Sequence, residues 1–333
     1  MPHVPALVVV IIGLALLFDF LNGMHDAANS IATIVSTRVM SPRLAVMWAA
    51  FFNFVAAFFF GVHVANTIGK GLVDPSIIDN TLLLSALVGG SLWNWLTIEL
   101  GIPVSSSHSL IGGLVGAALA KAGAKGLLFA SLKKTVLFMF ISPPIGMAIS
   151  FLLMVAVYWT FRRSSPGHVD RFFRAGQLVS SGALSLAHGT NDSQKTMGII
   201  TVLLFTNGFL GKDFHVPWSV ILSCHAVMGL GTLAGGWKVV HTMGNKVTKL
   251  KPAGGFCAET ASAISIIGCS LMGIPVSTTH VVTGSVVGVG ATHRLSAVRW
   301  GVAGRIVWAW VLTIPFAALT SAGTYWIAAR LLS

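Results

Sequence analysis

Charge is what this sequence has least of. Only 9% of its 333 residues are Asp, Glu, Lys or Arg while 55% are hydrophobic, against about 25% charged in an average soluble domain. That balance excludes an ordinary water-soluble globule, and the high hydrophobicity excludes a disordered chain. The net charge of +12 does not indicate nucleic-acid binding, because basic residues in short loops between apolar spans mark the flanks of a membrane protein. Cysteine is nearly absent too. Cys224, Cys257 and Cys269 are odd in number and sit in apolar stretches, so they read as small buried side chains, not as disulfides or metal ligands. There is no metal-ligand cluster with recognisable spacing and no Gly-rich loop ending in Lys-Ser/Thr, which excludes a built-in nucleotide engine. An apolar run from Val4 to Phe18, with no Lys or Arg before it and no small-residue cleavage site after it, is expected to be an uncleaved first span.

Apolar segments fall at about 5–37, 44–62, 81–98, 108–120, 135–161, 178–206, 217–237, 255–272, 281–292 and 300–328. At about 20 residues per crossing, the length allows some ten to twelve spans. The interruptions recur in two halves. Residues 101–116, GIPVSSSHSLIGGLVG, and 273–288, GIPVSTTHVVTGSVVG, agree at nine of 16 positions with an offset of 172. GMHDAANS at 23–30 and GTNDSQKT at 189–196 align at an offset of 166 and share Gly and Asp, and Thr67-Ile-Gly69 echoes Thr242-Met-Gly244. The expected fold is therefore an all-α polytopic membrane protein. It comprises a first repeat over 1–160, a short basic cytoplasmic connector over 161–177 and a second repeat over 178–333. Each repeat has an odd number of crossings, so the two lie inverted. Arg38, Arg43, the connector arginines, Lys238 to Lys251 and Arg294 to Arg305 then share one side. Lys70, Lys121, Lys125, Lys133, Lys134, Lys212 and Arg330 lie on the other with Asp74, Asp79 and Asp213. The majority places the first group in the cytoplasm and both termini outside.

Five acidic residues, Asp19, Asp26, Glu99, Asp192 and Glu259, together with Lys195, fall at apolar depth. Each costs roughly 2.5–3.5 kcal/mol there, and such residues mark ion or substrate paths. Asp26 and Asp192 occupy equivalent positions of the repeats. The polar neighbours of one are Asn22, Gly23, His25, Asn29 and Ser30; those of the other are His188, Gly189, Thr190, Asn191, Gln194 and Thr196. Such stretches are expected to break their helices at the midplane and expose backbone to a solute. Structural pairing of the charges explains less, and a packing kink explains the glycines but not the polar side chains.

The second motif works differently. Pro103 and Pro275 are expected to stop a helix, after which Ser105, Ser106, Ser107 and Ser277, Thr278, Thr279 place three hydroxyls at the start of the next. These are preferred N-cap residues, and the free amides of a helix N-terminus attract anions. Two Ser/Thr-tipped re-entrant hairpins entering from opposite faces would direct their positive ends at one oxyanion. Asn22, Asn94, His108 and His280 are expected to support these groups from behind, and the pairs Gly112/Gly116 and Gly284/Gly288 to permit close helix packing.

At Gly23-Met-His-Asp-Ala-Ala-Asn29, Gly189-Thr-Asn-Asp-Ser-Gln-Lys195 and the Ser/Thr hairpins, the whole chain resembles the inorganic phosphate transporter (Pit) family. The resemblance implies phosphate symport, with Asp26, Asn29, Asn191, Asp192 and the six hydroxyl residues Ser105–Ser107 and Ser277–Thr279 around the anion. The long hydrophilic middle loop of many members is missing. His25 and Lys195 depart from the family's usual Asn and resemble the bacterial low-affinity, proton-coupled branch. Lys195 then stands in for a bound cation beside Asp192 and phosphate, and the ion-coupling residues are expected among Asp26, His25, Asp192, Lys195 and Glu259.

The partners expected are inorganic phosphate, protons or sodium ions, a divalent metal travelling with phosphate, the bilayer of the cell membrane, and a second copy in a homodimer. No cofactor, catalytic residue or resident metal is expected. Sodium coupling and a sulfate permease of the same fold are the alternatives. Sulfate lacks the proton that would bind a carboxylate acceptor, which favours phosphate. An intramembrane hydrolase using Ser105 with His108 or Ser277 with His280 is disfavoured, because duplicated nucleophiles suit alternating access better than catalysis. A channel is disfavoured by the tight cradle.

Overall fold

The computed structural model describes residues 5–246, 248–294, 296 and 298–331; both termini, and so the expectation about their side, lie outside these. Its α-helices are α1 (Ala6–Ser36), α2 (Pro42–Val55), α3 (His63–Gly71), α4 (Asn80–Leu100), α5 (Ser106–Ala122), α6 (Phe129–Phe161), α7 (Pro166–Thr206), α8 (Trp218–Ala234), α9 (Trp237–Lys246), α10 (Pro252–Leu271), α11 (Thr278–His293) and α12 (Trp300–Leu331). No strand occurs among the described residues, only one isolated bridge between Val73 and Leu127.

Five of the described helices, α1, α4, α6, α10 and α12, are long and apolar enough to cross a membrane, and α2 with its continuation bends by 78° into α3 to make a sixth candidate. The expectation of ten to twelve crossings rested on about 20 residues per span. It assumed uniform short spans, whereas α1, α6 and α12 take 31, 33 and 32 residues and α7 takes 41, about 60 Å of helix. The expected connector is also mostly helical, since α7 begins at Pro166 and leaves only residues 162–165 between it and α6.

Equivalent elements make equivalent contacts. α5 packs on α12 as α11 packs on α6, α1 on α8 as α7 on α2, α3 on α7 as α9 on α1, and α4 on α12 as α10 on α6. Each hairpin is thus embraced by the last helix of the other half. The Gly pairs lie in those seams: a Cβ on Gly112 would meet Ile314 O at 2.7 Å, one on Gly116 would collide with the Ala318 backbone, and those on Gly284 and Gly288 with the backbones of Pro143 and Met147. Small residues let the backbones touch, which is where helices in lipid gain their packing energy.

The apolar core is split. One cluster takes Val8 to Phe18 of α1 with Met197 to Leu203 of α7; the other takes Ala28 to Ile34 of α1 with Leu184 and Ala187 of α7. Between them lies a polar layer formed by the middle of both helices. Large apolar side chains such as Phe51, Phe140, Leu152, Trp159, Trp308, Leu319 and Trp326 face outward, as lipid requires.

The breaks fall where the sequence did not suggest them. α1 runs unbroken through Gly23–Ser30 and α7 through Gly189–Thr196. Asp26, Asn29, Asn191, Asp192, Gln194 and Lys195 find partners outside their own helices, so the backbone ladder need not open. Gly23 and Gly189 serve close packing instead, against Met228 and Asn53, whose O lies 2.7 Å from a Cβ built on Gly189. The chain breaks between α2 and α3 and between α8 and α9. At the first break Gln194 of α7 bonds the freed backbone, donating to Gly61 O at 2.7 Å and accepting from Val64 N at 2.8 Å. At the second, Gly235 has a positive φ of 64°.

Candidate anion site at the hairpin tips

The two hairpin turns are built alike. α4 ends in a Schellman cap, with Gly101 at φ 65°, Gly101 N donating to Ile98 O at 3.1 Å and Ile102 N to Thr97 O at 3.0 Å. α10 ends the same way, with Gly273 at φ 67°, bonding Ser270 O at 3.0 Å while Ile274 N reaches Cys269 O at 2.9 Å. Glycine in the left-handed region, not the following proline, stops each helix. Ser105 and Ser277 then cap α5 and α11, their hydroxyls accepting from His108 N and His280 N at 3.2 Å each. The ends of the first hairpin lie side by side, since Lys121 at the end of α5 pairs with Asp79 at the start of α4 at 2.5 Å.

Asp26, Asp192, Lys195 and the hydroxyl triplets meet in the polar layer, every one of them buried. Thr278 Oγ1 donates to Asp192 Oδ2 at 2.9 Å and lies 3.5 Å from Asp26 Oδ2, and Thr279 Oγ1 donates to Asp26 Oδ1 at 3.2 Å. Asn29 Nδ2 donates to Thr279 Oγ1 at 3.0 Å. The Lys195 ammonium pairs with Asp192 and donates to Ser107 Oγ at 2.5 Å and Val276 O at 3.0 Å. Asn191 donates to Ser270 Oγ at 2.8 Å and grips the second hairpin turn. His25 Nδ1 lies 2.8 Å from Asp26 Oδ1. The arrangement presents helix N-termini, hydroxyls and one fixed cation beside two carboxylates, the chemistry for holding a partly protonated tetrahedral oxyanion.

Other expected residues lie elsewhere. Glu259 is buried between α1, α7 and α10, with Thr33 and Ser180 hydroxyls at 2.5 Å and Gln177 Nε2 at 2.9 Å, and touches no residue of the cradle. Glu99 is not at apolar depth: its side chain is 53% exposed and pairs with Lys238 at 3.0 Å, because α4 overshoots the layer and ends at a polar rim. His108 and His280 pack against each other with ring centroids 4.5 Å apart and planes tilted by 39°, and Trp310 stacks on His280. Asn22 and Asn94 are buried, and neither side-chain atom of Asn94 has a hydrogen-bond partner among the described residues.

His188 is the residue that the sequence reading left out of the site. Its Nε2 stands between the carboxylates, 3.2 Å from Asp192 and 3.8 Å from Asp26, close but not aligned as a hydrogen bond, while Nδ1 lies 3.2 Å from Asn53 Oδ1. Its spacing of four residues from Asp192 put it on the same helix face; its distance from Asp26 was not readable. Ligand atoms of Asp26, His188 and Asp192 lie within 4.8 Å of one another, a grouping that no sequence spacing announced. The Lys195 ammonium already pairs with Asp192 in this cluster. A separate groove of about 690 Å³ between α6, α7 and α10, lined by Tyr158, Arg162 and Lys249, contains none of these residues.

An all-helical fold with an apolar exterior and a buried ionic layer between two apolar cores defines a multi-pass membrane protein that handles a polar solute. The sequence pattern of the phosphate transporter family matches residues 22–168 and again 161–321, once for each half. The chain belongs to that family. It is 57% identical over 322 residues, covering 97% of this chain and 96% of the other, to a probable low-affinity inorganic phosphate transporter of Rhizobium meliloti (strain 1021). It is 42% identical over 323 residues, 96% of this chain and 97% of the other, to a protein of the same description from Bacillus subtilis (strain 168). Its structure is similar to the solved structure of a sodium-dependent phosphate transporter, with a TM-score of 0.91, 28% identity, and 98% of this chain and 100% of that chain covered. These relatives are transporters, not enzymes.

Proposed function

We propose that the chain is a proton-driven symporter of inorganic phosphate in the cell membrane. The two halves are inverted repeats that alternate access to a single site between the hairpin tips. The observation that carries this reading is the convergence of Ser107, Thr278 and Thr279 with Lys195, Asp26 and Asp192 in one buried layer. Phosphate accepts from the hydroxyls, the α5 and α11 amides and Lys195, and its own proton is accepted by a carboxylate. Sulfate carries no such proton and meets two carboxylates with nothing to share. The arginine-rich end, where Arg174 Nη1 donates to Arg38 O at 3.0 Å, faces the cytoplasm.

Lys195 supports protons over sodium. A sodium site needs several oxygen ligands, and the ammonium both removes an oxygen donor relative to Asn and supplies the positive charge. The second reading, sodium coupling, is favoured by the likeness to the sodium-dependent phosphate transporter. Radiolabelled phosphate uptake by the purified chain in liposomes, under imposed proton or sodium gradients and with sulfate as competitor, separates them. Accumulation driven by protons and resistant to sulfate is expected; accumulation driven only by sodium contradicts the proposal. Lys195→Asn is expected to make uptake sodium-dependent, and unchanged proton-driven uptake in that variant sinks the role given to Lys195.

A further inference from the structure

Three of the side chains that contact each hairpin do so in corresponding ways, and the two sets are related by the repeat. On the first, His25 Nε2 lies 3.1 Å from Ile102 O and 3.4 Å from Val104 N, Lys195 donates to Ser107 Oγ at 2.5 Å, and Thr242 Oγ1 donates to Gly101 O at 3.2 Å. On the second, Asn191 Nδ2 lies 3.5 Å from Ile274 O and its Oδ1 lies 3.4 Å from Val276 N. Asn29 donates to Thr279 Oγ1 at 3.0 Å and Thr67 Oγ1 to Gly273 O at 2.7 Å. His25 aligns with Asn191, Lys195 with Asn29 and Thr242 with Thr67, and the contacted atoms correspond as well. Within these matched sets the first hairpin meets an imidazole and an ammonium where the second meets two amides, while Lys195 also donates to Val276 O of the second turn at 3.0 Å and Asp192 and Asp26 accept from Thr278 and Thr279.

The difference has a chemical consequence. The amide of Asn191 offers a donor and an acceptor on separate atoms and serves the carbonyl and the N–H of its turn together at any pH. A single imidazole nitrogen is a donor or an acceptor, never both. With Nδ1–H donated to the Asp26 carboxylate, neutral His25 presents a lone pair at Nε2, which accepts from Val104 N–H and turns from Ile102 O. The imidazolium presents Nε2–H, which donates to Ile102 O and opposes Val104 N–H.

We propose that a proton binding at His25 switches the grip on the first hairpin, so that the α4–α5 turn is a proton-sensing gate. The inference rests on the proton-driven reading above and names the residue and gate through which it works. The proton taken up by the ring leaves it when the hairpin returns to the neutral grip, so no other reactant is consumed. Asp26 is the charged group in contact with the ring. On α7, His188, Asp192 and Lys195 gather about Asp26 and Asp192; on α4 and α9, Glu99 and Lys238 pair at the rim and His241 is exposed. On α8, His225 bonds Asn53 O at 2.8 Å, and on α5 His108 packs against His280 of α11.

The full chain in liposomes tests this with two assays, phosphate–phosphate exchange at equal pH and phosphate accumulation driven by a proton gradient. His25→Asn, which copies the second hairpin's grip, is expected to lower accumulation by about tenfold or more relative to the exchange rate of the same variant. Accumulation so measured within about twofold of the unaltered chain overturns the proposal. An unaltered chain that exchanges phosphate yet ignores the proton gradient overturns the proton-driven reading itself, a result read without any variant. Should His25→Asn fail to insert, Ile102→Cys and Ile274→Cys give an independent readout. The ratio of their thiol-labelling rates is expected to change about fivefold or more between about pH 8 and pH 5.5, the common thiolate dependence cancelling. A constant ratio overturns the proposal.

Discussion

Asp192 and Lys195 form an ion pair whose side chains are 1% and 2% exposed, and removing one partner of such a pair leaves a buried charge. Asp192→Asn is therefore expected to destabilise the folded chain by about 3–5 kcal/mol, seen as a lower thermal-inactivation temperature in detergent. Asp192→Asn combined with Lys195→Met is expected to recover most of that stability without recovering phosphate uptake, which separates the two roles; a double variant no more stable than the single one argues against the pair as the cause. The carboxylates and hydroxyl triplets were readable in the sequence because a duplicated motif marks equivalent positions. His188 was not, because its place between Asp26 and Asp192 depends on α1 and α7 packing together. Glu99 was misplaced because apolar neighbours on a helix end look the same whether the end is buried or reaches a rim.

Among the elements, the hairpins arise most directly from local residues. Gly101 and Gly273 form the turns, Ser105 and Ser277 cap α5 and α11, and the Gly pairs set how near the neighbouring backbone lies. Gly284 faces Pro143 backbone on α6 as Gly116 faces Ala318 backbone on α12. Gly284→Leu and Gly116→Leu should each cost about 1–3 kcal/mol through forced separation of the helices, measured as loss of folded protein on size-exclusion chromatography; native-like yield in both would argue against backbone contact in the seams. The continuity of α1 and α7 was not legible. Their polar residues look like helix breakers when read locally, but Asn29, Asp26 and Asp192 bond hydroxyls of a hairpin far along the chain. Conversely, the sharp bend after α2 is tolerated because Gln194, in a different half, satisfies its freed backbone.

At the scale of the whole molecule, a polar layer between two apolar clusters, with each hairpin clasped by the opposite half, is the architecture expected of two gates acting on one site. α1, α6, α7 and α12 each take more chain than the spanning minimum of about 20 residues. Side assignment comes from the basic residues: Arg174 lies with Arg38 at one end, and Lys121 with Asp79 at the other. Arg174→Cys should be labelled by an impermeant thiol reagent only from the cytoplasm and Lys121→Cys only from outside; the reverse pattern would invert the orientation. The central claim is that phosphate is carried through the layer holding Asp26 and Asp192. Its most direct test is radiolabelled phosphate uptake by Asp26→Asn and Asp192→Asn, each matched for the amount of inserted protein: both are expected to lose uptake, and full uptake in both would contradict the account.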